Sequence, residues 1–494
     1  MNLLKTKKVS IALFFLILFF SPGSASAQNL MRPIQVQNVT TTTADIIWKS
    51  ASGGTSQVKY GTTTSYEMGT ANGANGRKQI DNSPGFMHKA SITGLSPNTK
   101  YFYQALTNGG GMSAAGDQTY YIKTSPVTGS STPFSWVVIG DSGNGGSNQK
   151  ATATQIANKK PELVIEAGDV VYGSGGYGGY ASLSGEPEQD RLHYDIFKES
   201  MKFSPYYLAC GNHDNNSNNT PAGILNGCDV MVDDQSMPNG GRLPGSSGSG
   251  SSVIYSFNYG NVHFTVLNAN PEASPQLGGA QLNWAINDIR NSAQPWKVVV
   301  WHQNGWSAGT HSTNANVTAN LIPMVQDAGA HVVLWGHSHV YERFSRFANQ
   351  GKAGCTTAGG CRNKGPYYFT IGNSGSGGAT GTCGSYANGP MCLARSGVGN
   401  IPTGTGLLYA QTNGNSMTFS YVTSSGATSE SVTYNLSEFG PVIPPTAGPS
   451  PTNQPTSPPN STPTRTPTPL SGATNTPPPI ITQPPGGVCT YYKN

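Results

Sequence analysis

Residues 134–143 read FSWVVIGDSG, an apolar run that ends abruptly in a glycine and an aspartate. The run predicts a buried β-strand, and the glycine predicts a tight turn that places a carboxylate just beyond the end of the strand. In an open α/β sheet, the carboxyl ends of the strands form the crevice in which ligands bind. The stretch therefore predicts an α/β fold with a polar site at this strand end.

Four later strand-like runs end in the same way. The apolar runs are 163–165, 206–209, 298–301 and 332–335, and the polar residues that follow them are Asp169, then Asn212 with His213 and Asp214, then His302, and finally His337 with His339. Carboxylates, imidazoles and an amide oxygen suit iron, zinc and manganese. A single such motif would indicate only a turn former or a structural histidine, but five in order predict a site for two metal ions.

Glycines precede four of these polar residues, namely Asp141, Asp169, Asn212 and His337. Because glycine has no Cβ, we expect tight turns and close backbone approaches at these points. Candidate helices alternate with the strands and lie near Asn148–Asn158, Gln189–Met201, Gln276–Arg290 and Ala315–Asp327. This alternation predicts a layered α/β domain over residues 133–437, which closes with antiparallel strands near Gly406–Thr412, Ser416–Thr423 and Ser431–Leu436.

Residues 32–126 have a different pattern, with short apolar or alternating runs between turn signals. The runs are Ala44–Trp48, Gln57–Tyr60, His88–Ile92, Tyr101–Leu106 and Thr119–Lys123. This spacing predicts a small β-sandwich in which Trp48 anchors the core. Tyr101 follows a turn at the start of a strand, and we expect its hydroxyl to bond the upstream backbone as a tyrosine corner.

Both ends of the chain lie outside these two domains. Residues 1–27 combine three early lysines, an apolar run over 11–20 and an Ala-Ser-Ala cleavage pattern, which predicts a signal peptide. The apolar run is too short to span a membrane, so we expect a secreted protein, extracellular or periplasmic. Residues 438–488 are rich in Pro, Thr and Ser, a composition that predicts a disordered linker. We expect residues 489–494 to be the remnant of a tail or of a further module, through which the protein could attach to a cell surface or a polymer.

Composition and cysteine content narrow the possible partners and the compartment. Only 10% of residues are charged and the net charge of +5 is dispersed, so we expect no nucleic-acid partner. Seven cysteines suit an oxidising compartment. Six of them allow fifteen pairings, among which proximity favours Cys210 with Cys228. The segment from Cys355 to Cys392 indicates disulfides, with zinc binding as the alternative, and Cys489 is left over.

Taken together, the five motifs resemble those of the calcineurin-like metallophosphoesterases. Tyr172, three residues after Asp169, and the sequence Val-Tyr-Glu-Arg at 340–343 narrow the resemblance to the purple acid phosphatases. The resemblance covers residues 32–437. It implies an all-β, fibronectin type III-like sandwich followed by an α/β metallophosphoesterase domain with four αββα layers.

The resemblance also implies a binuclear centre and its ligands. A ferric iron would be held by Asp141, Asp169, Tyr172 and His339, and Zn, Mn or Fe(II) by Asn212, His302 and His337, with Asp169 as the bridge. The Tyr172 phenolate stabilises Fe(III) and gives the family its colour. His213 would contact the phosphate, Asp214 would orient His213, and His311 would protonate the leaving group or bind substrate.

The activity implied is hydrolysis of phosphate monoesters by attack of a metal-bound hydroxide. A phosphodiesterase or nucleotidase on the same scaffold is the nearest alternative, because substrate choice depends on loops such as 173–180 and 303–311. The more distant alternative is a secreted binding or adhesion protein with a vestigial metal site. The expected partners are small phosphate esters, and nothing in the sequence specifies an oligomer.

Overall fold

The strand-like runs of the sequence form two β-containing domains in the structure. It is a computed structural model that describes residues 30–80, 83–172, 189–215, 227–244, 253–270, 279–377 and 382–440. All of these residues belong to one compact unit. The predicted signal peptide, the 173–180 loop, Cys489 and nearly all of the Pro-rich linker lie outside the described residues.

The first domain is a β-sandwich, as the spacing of its strands predicts. Its strands are β1 Leu30–Gln37, β2 Ala44–Ser50, β3 Ser56–Gly61, β4 Gly69–Asn72, β5 Phe86–Ile92, β6 Lys100–Thr107, β7 Gly110–Gly111 and β8 Tyr121–Lys123. One sheet has the order β1-β2-β5 and the other β4-β3-β6-β7, with β8 also paired to β6. Trp48 is completely buried, and the Tyr101 hydroxyl accepts the Ser96 N–H at 2.8 Å. The predicted core anchor and tyrosine corner are therefore confirmed.

The second domain is built on two mixed sheets. Its strands are β9 Phe134–Ile139, β10 Leu163–Glu166, β11 Tyr206–Leu208, β12 Tyr255–Tyr259, β13 Val262–Val266, β14 Trp296–Val300, β15 Val332–Trp335, β16 Tyr341–Phe344, β17 Tyr367–Ile371, β18 Cys392–Arg395, β19 Gly406–Asn413, β20 Ser416–Thr423 and β21 Thr428–Asn435. The six-stranded sheet has the order β11-β10-β9-β19-β20-β21. The seven-stranded sheet has the order β12-β13-β14-β15-β17-β16-β18.

Helices cover the sheets of this domain. They are α1 Ser147–Lys159, α2 Asp195–Met201, α3 Gly227–Asp234, α4 Ala280–Asn291 and α5 Ile322–Ala328. Trp136 of β9 contacts Phe419 of β20 in its own sheet and Phe264 of β13 in the other, which shows that the two sheets pack face to face. Another apolar core lies where α4 and α5 cover the seven-stranded sheet. The four-layer α/β class predicted from the resemblance is confirmed.

The four predicted helices are present, but two of them begin with a π-helical turn instead of an α-helical one. π-helical turns at Asp190–Tyr194 and Val317–Leu321 precede α2 and α5. The first of these wider turns directs Asp190 toward Arg32 and His193 toward Glu166, and all four residues are buried. The sequence analysis did not predict α3, because eight residues with three aspartates give little helical periodicity.

Three disulfides join Cys210 to Cys228, Cys355 to Cys361, and Cys383 to Cys392. The pairing favoured for Cys210 is confirmed, and the zinc alternative for the later segment is wrong. The four histidines without a motif, His88, His193, His263 and His331, are buried structural residues. Within the described ranges, no helix has the length and apolarity needed to cross a bilayer.

Candidate metal centre

Three residues at strand ends adopt the left-handed conformation that L residues rarely use. Asp141 after β9 has φ of 54°, Asp169 after β10 has 50°, and His337 after β15 has 68°. Each such residue costs about 1–3 kcal/mol, and strain of this kind clusters at functional sites. The strained turns bring side chains from two different sheets to one crevice.

Glycine is required at these turns because neighbouring atoms leave no room for a Cβ atom. A Cβ on Gly168 would lie 2.6 Å from Nδ1 of His302, and one on Gly336 would lie 2.5 Å from a carboxylate oxygen of Asp141. On Gly211 it would lie 2.1 Å from Oδ1 of Asp169, and on Gly140 it would lie 2.3 Å from the Ile371 carbonyl oxygen. The predicted close approaches are therefore present at all four positions.

Asp141, Tyr172 and His339 form the first cluster of the crevice. The Tyr172 hydroxyl lies 3.0 Å from Oδ1 of Asp141 and 3.0 Å from Nε2 of His339. That Nε2 atom lies 3.5 Å from Oδ1 of Asp141. The other carboxylate oxygen of Asp141 accepts the backbone N–H of His337 at 2.7 Å, which fixes the carboxylate. One carboxylate, one phenol and one imidazole thus converge on a single point.

Asp169, His302 and His337 form the second cluster. Each offers a ligand atom, and the three atoms lie within 4.8 Å of one another. Nδ1 of His302 donates to the Ala167 carbonyl at 2.8 Å, which leaves Nε2 facing the crevice. Nε2 lies 3.3 Å from Asp169 and 3.0 Å from Oδ1 of Asn212. The amide oxygen of Asn212 therefore belongs to this cluster as well.

Burial and the neighbouring charges shift the pKa values of these groups. Burial alone would raise the pKa of Asp169, but His302 and the backbone N–H of His213 hold it below its ordinary value. Burial disfavours the charged form of His302, yet Asp169 and Asp141 raise its pKa to about 10. Burial and then His302 lower the pKa of His337 to about 2. The buried carboxylates thus favour a positive charge on His302, and that charge in turn disfavours a second one on His337.

His213 and Asp214 follow Asn212 on the same turn. The His213 ring is exposed and its centroid lies 4.5 Å from that of Tyr172. Asp214 is completely buried, and its carboxylate accepts the N–H groups of Val170, Val171 and Gly211 at 2.8–3.3 Å. Asp214 therefore holds the turn after Asp169 and the turn before Asn212 in place. The role of Asp214 in orienting the His213 ring stays a prediction.

His311 lies beside the second cluster. Its ring stacks on His337 with a centroid separation of 3.9 Å, and the His339 centroid lies 6.2 Å away. His311 is exposed to solvent, unlike His302. The structure therefore brings all ten residues predicted from the sequence to one crevice and its rim.

One segment of the site was missed by the sequence analysis. Residues 372–377 follow β17 and wrap around the Asp141 turn, where the Ser374 N–H donates to the Gly140 carbonyl and the Ser376 N–H donates to the Asp141 carbonyl, both at 3.1 Å. A Cβ on Gly375 would lie 2.0 Å from the Ser142 carbonyl oxygen. The signal was available, because residues 367–373 read YYFTIGN, another apolar run that ends in glycine and a polar residue.

The donor set fits two metal ions. The clusters together offer two carboxylates, three imidazoles, a phenol and an amide oxygen, which suit divalent and trivalent iron, zinc and manganese. Two carboxylates with at most 1% exposure lie close together, an arrangement that is unfavourable without compensating positive charge. The residues present therefore match the binuclear centre that the resemblance implies.

Comparison with known proteins agrees with this geometry. Residues 32–135 match the family model for the purple acid phosphatase N-terminal domain, and residues 135–341 match the model for calcineurin-like phosphoesterases. Purple acid phosphatase 15 of Arabidopsis thaliana is 27% identical over 60% of this chain and 55% of its own length. The purple acid phosphatase of Glycine max is 24% identical over 59% of this chain and 61% of its own length. The chain thus spans somewhat over half the length of these relatives.

Solved structures show the same fold. A purple acid phosphatase from yellow lupin (Lupinus luteus) seeds superposes with a TM-score of 0.58, covering 81% of this chain and 74% of its own, at 18% identity. PhoD superposes with a TM-score of 0.60, covering 83% of this chain and 91% of its own, at 13% identity. At these identities the superpositions establish the architecture alone.

Proposed function

Because the chain belongs to the purple acid phosphatases of the calcineurin-like superfamily, we propose that it is a metal-dependent phosphatase that hydrolyses phosphate monoesters. The observation that carries the proposal is the pair of adjoining clusters, one of which contains a tyrosine. The other candidate ligands are carboxylates, imidazoles and an amide oxygen, whereas Tyr172 adds a phenol within 3.0 Å of Asp141 and His339. The phenol is the feature that favours a ferric ion.

The proposed ligands divide between the two clusters. Fe(III) would be held by Asp141, Asp169, Tyr172 and His339, and Zn, Mn or Fe(II) by Asn212, His302 and His337, with Asp169 shared. When bound, such a metal pair supplies Lewis acidity and lowers the pKa of water, which provides a nucleophile at working pH. The buried backbone contacts of Asp141, His302 and Asp214 keep the ligands aligned before any ion binds.

The exposed histidines act on the substrate in this proposal. His213 projects from the Asn212 turn beside Tyr172, where its ring can donate hydrogen bonds to phosphate oxygens and stabilise the charge that develops on them. His311 stands over His337 at the opposite rim, where it can give a proton to the leaving oxygen. Its pKa is lowered by burial and by the neighbouring His339. Attack without a phosphoenzyme would invert the configuration at phosphorus.

Export of the protein is part of the proposal. The first 27 residues have the pattern of a signal peptide, and three disulfides suit an oxidising compartment. We expect the mature chain to begin at Gln28 when it is recovered from the medium or periplasm of a secreting host. Recovery of the full chain from the cytosol, with free thiols, would contradict this part of the proposal.

A spectrum and a turnover assay test the proposed centre. The purified protein is expected to hold two metal ions per chain, to show a broad visible band and to hydrolyse p-nitrophenyl phosphate faster than bis(p-nitrophenyl) phosphate. Tyr172→Phe is expected to abolish the band. Tyr255→Phe is the control, because Tyr255 is a buried tyrosine whose hydroxyl bonds the Leu208 carbonyl and none of the candidate ligands.

Each other outcome points to a different function. Two metals and turnover without the band would keep the phosphatase but exclude a ferric tyrosinate. Faster turnover of the diester would favour the phosphodiesterase. Absence of both metal and turnover would favour a binding protein with a vestigial site.

A further inference from the structure

The loop that carries His311 is joined to the turn that carries His337 and His339. We define the His311 loop as residues 303–311. Ser338, between the two histidines, is completely buried, and its hydroxyl accepts a hydrogen bond from Ser307 at 2.8 Å and from the His311 N–H at 3.4 Å. The Ser307 hydroxyl in turn accepts the Gly309 N–H at 2.9 Å. The Ser338 hydroxyl thus connects the His311 loop to the turn that carries His337 and His339.

Packing leaves no space for the loop to shift toward Ser338. A Cβ on Gly309 would lie 2.0 Å from the Ser338 hydroxyl and 3.0 Å from Val340. At the other end of the loop, Trp306 packs edge-on against Phe347 and Tyr368 with centroid separations of 5.6 and 5.2 Å. The loop is therefore held by contacts on both sides of its middle, and its last residue, His311, is exposed at the rim.

A buried ion pair holds the middle of the loop. Glu342 accepts the Ala308 N–H at 3.1 Å and the Thr370 hydroxyl at 3.2 Å, and the Arg395 guanidinium donates to the same carboxylate. Both charged side chains are completely buried. A buried pair of this kind adds little net stability compared with apolar residues of similar volume, but its hydrogen bonds fix the geometry of the groups that they join.

We infer that Ser338 and the Glu342–Arg395 pair are positioning residues that set the orientation of the His311 ring over His337. The inference rests on the proposed function, because His311 is taken to protonate the leaving group. The imidazole must lie within hydrogen-bond reach of the leaving oxygen for this step. The hydroxyl of Ser338 and the carboxylate of Glu342 act on the substrate only through the loop.

A double-mutant cycle with Ser338→Ala and His311→Ala tests this inference. Ser338→Ala is expected to misalign the His311 ring and so weaken the hydrogen bond that the ring makes to the leaving oxygen. Loss of one hydrogen bond that forms only in the transition state lowers kcat about tenfold. We expect this loss for 2-glycerophosphate, whose alkoxide leaving group needs the proton. We expect a smaller loss for p-nitrophenyl phosphate, whose leaving group does not. In the His311→Ala background, Ser338→Ala is expected to change kcat by less than about twofold. Metal content is expected to stay at the parent value.

A structural readout makes the test independent of turnover. Hydrogen exchange at the amides of Ala308, Gly309 and His311 is expected to accelerate in Ser338→Ala and in Glu342→Gln. Ser200→Ala removes a buried hydroxyl bonded to Tyr206 instead, and Glu430→Gln weakens the pair with Arg343 on the same strand as Glu342. Both controls are expected to leave exchange in the loop unchanged.

Three results would overturn the inference. The first is unchanged amide exchange in the loop. The second is a tenfold loss that persists without His311. The third is an equal loss for both leaving groups. A parent protein that lacks turnover altogether would instead contradict the proposed function, and the exchange data would then still decide whether Ser338 and Glu342 fix the loop.

Discussion

Gly211 lies against the residue proposed to bridge the two metals. A Cβ at this position would be 2.1 Å from Oδ1 and 2.2 Å from the backbone nitrogen of Asp169. Asp169 cannot move away, because its backbone is in a left-handed turn and its Oδ1 accepts the His213 N–H at 2.9 Å. At the residue scale, the site therefore depends on the absence of one methyl group.

Gly211→Ala is expected to reduce metal binding sharply. Overpacking of this kind costs about 1–3 kcal/mol of unfolding free energy, and here it would also displace the Asp169 carboxylate. Metal per chain and the urea midpoint are the measurements. Gly384→Ala is the control, since a Cβ there meets nothing within 4 Å. Full metal content in Gly211→Ala would show that the turn can relax around the methyl group.

At the scale of elements, a buried polar group joins neighbouring strands of the seven-stranded sheet. His331 precedes β15, and its backbone joins both neighbouring strands, since its N–H donates to the Lys297 carbonyl of β14 and its carbonyl accepts the Tyr367 N–H of β17. Its Nδ1 accepts the Lys297 N–H at 3.2 Å, which requires an unprotonated nitrogen. Burial, followed by the nearby charges of Lys297 and Arg346, lowers the pKa of His331 to about 3.

This histidine is expected to weaken the fold in acid. The unfolded state binds a proton near pH 6.5 and the folded state only near pH 3, so the contribution is complete above 6.5 and is lost as the pH falls toward 3. The loss is about 1.4 kcal/mol per pH unit in that window. His331→Gln is expected to show a shallower fall in unfolding free energy between pH 7 and pH 4 than the parent. Parallel curves for the two proteins would contradict the assignment.

At the scale of the whole molecule, a buried ion network joins the β-sandwich to the α/β domain. Arg32 of β1 contacts Asp190 at 2.5 Å and Asp234 of α3 at 2.9 Å, and Lys49 of β2 lies 3.3 Å from Asp190. The Arg32 guanidinium also stacks 4.0 Å above the Tyr194 ring. The β-sandwich is thereby fixed to the two helical segments near the site.

Arg32→Met is expected to lower the unfolding free energy by about 3–5 kcal/mol, because it removes the cation that the buried carboxylates of Asp190 and Asp234 share, which Lys49 beside Asp190 only partly replaces. Adding Asp234→Asn is expected to recover part of the loss. Arg77→Met is the matched control at the same boundary, because the Arg77–Asp233 pair is half exposed and is worth less than about 1 kcal/mol. Urea unfolding measures all three variants, and equal losses for Arg32→Met and Arg77→Met would refute the role of burial.

Much of the fold follows from local pattern. The strands that carry Asp141, Asp169, Asn212, His302 and His337 were predicted because each combines an apolar run with an abrupt polar end, and α1 was predicted almost to the residue. The β12, β16, β17 and β18 strands were missed. The β12 run YSFNY and the β17 run YYFTI were overlooked although their local pattern indicates strands. In β16 and β18 the pattern is broken by Glu342 and Arg395, whose partners lie far along the chain. Local pattern cannot reveal such partners, because they are matched only in three dimensions.

The sequence by itself determined which candidate ligands meet in the crevice, since donor residues follow the ends of successive strands and the parallel strands bring those ends to one edge. Only the tertiary structure decided how these residues are held. Contacts between distant chain segments fix the left-handed turns at Asp141, Asp169 and His337. Such contacts also include the hydrogen bonds from three backbone amides to Asp214 and the contact of Ser338 with the His311 loop. The physical reason is that ligand chemistry is a property of single side chains, whereas orientation is a property of their packing.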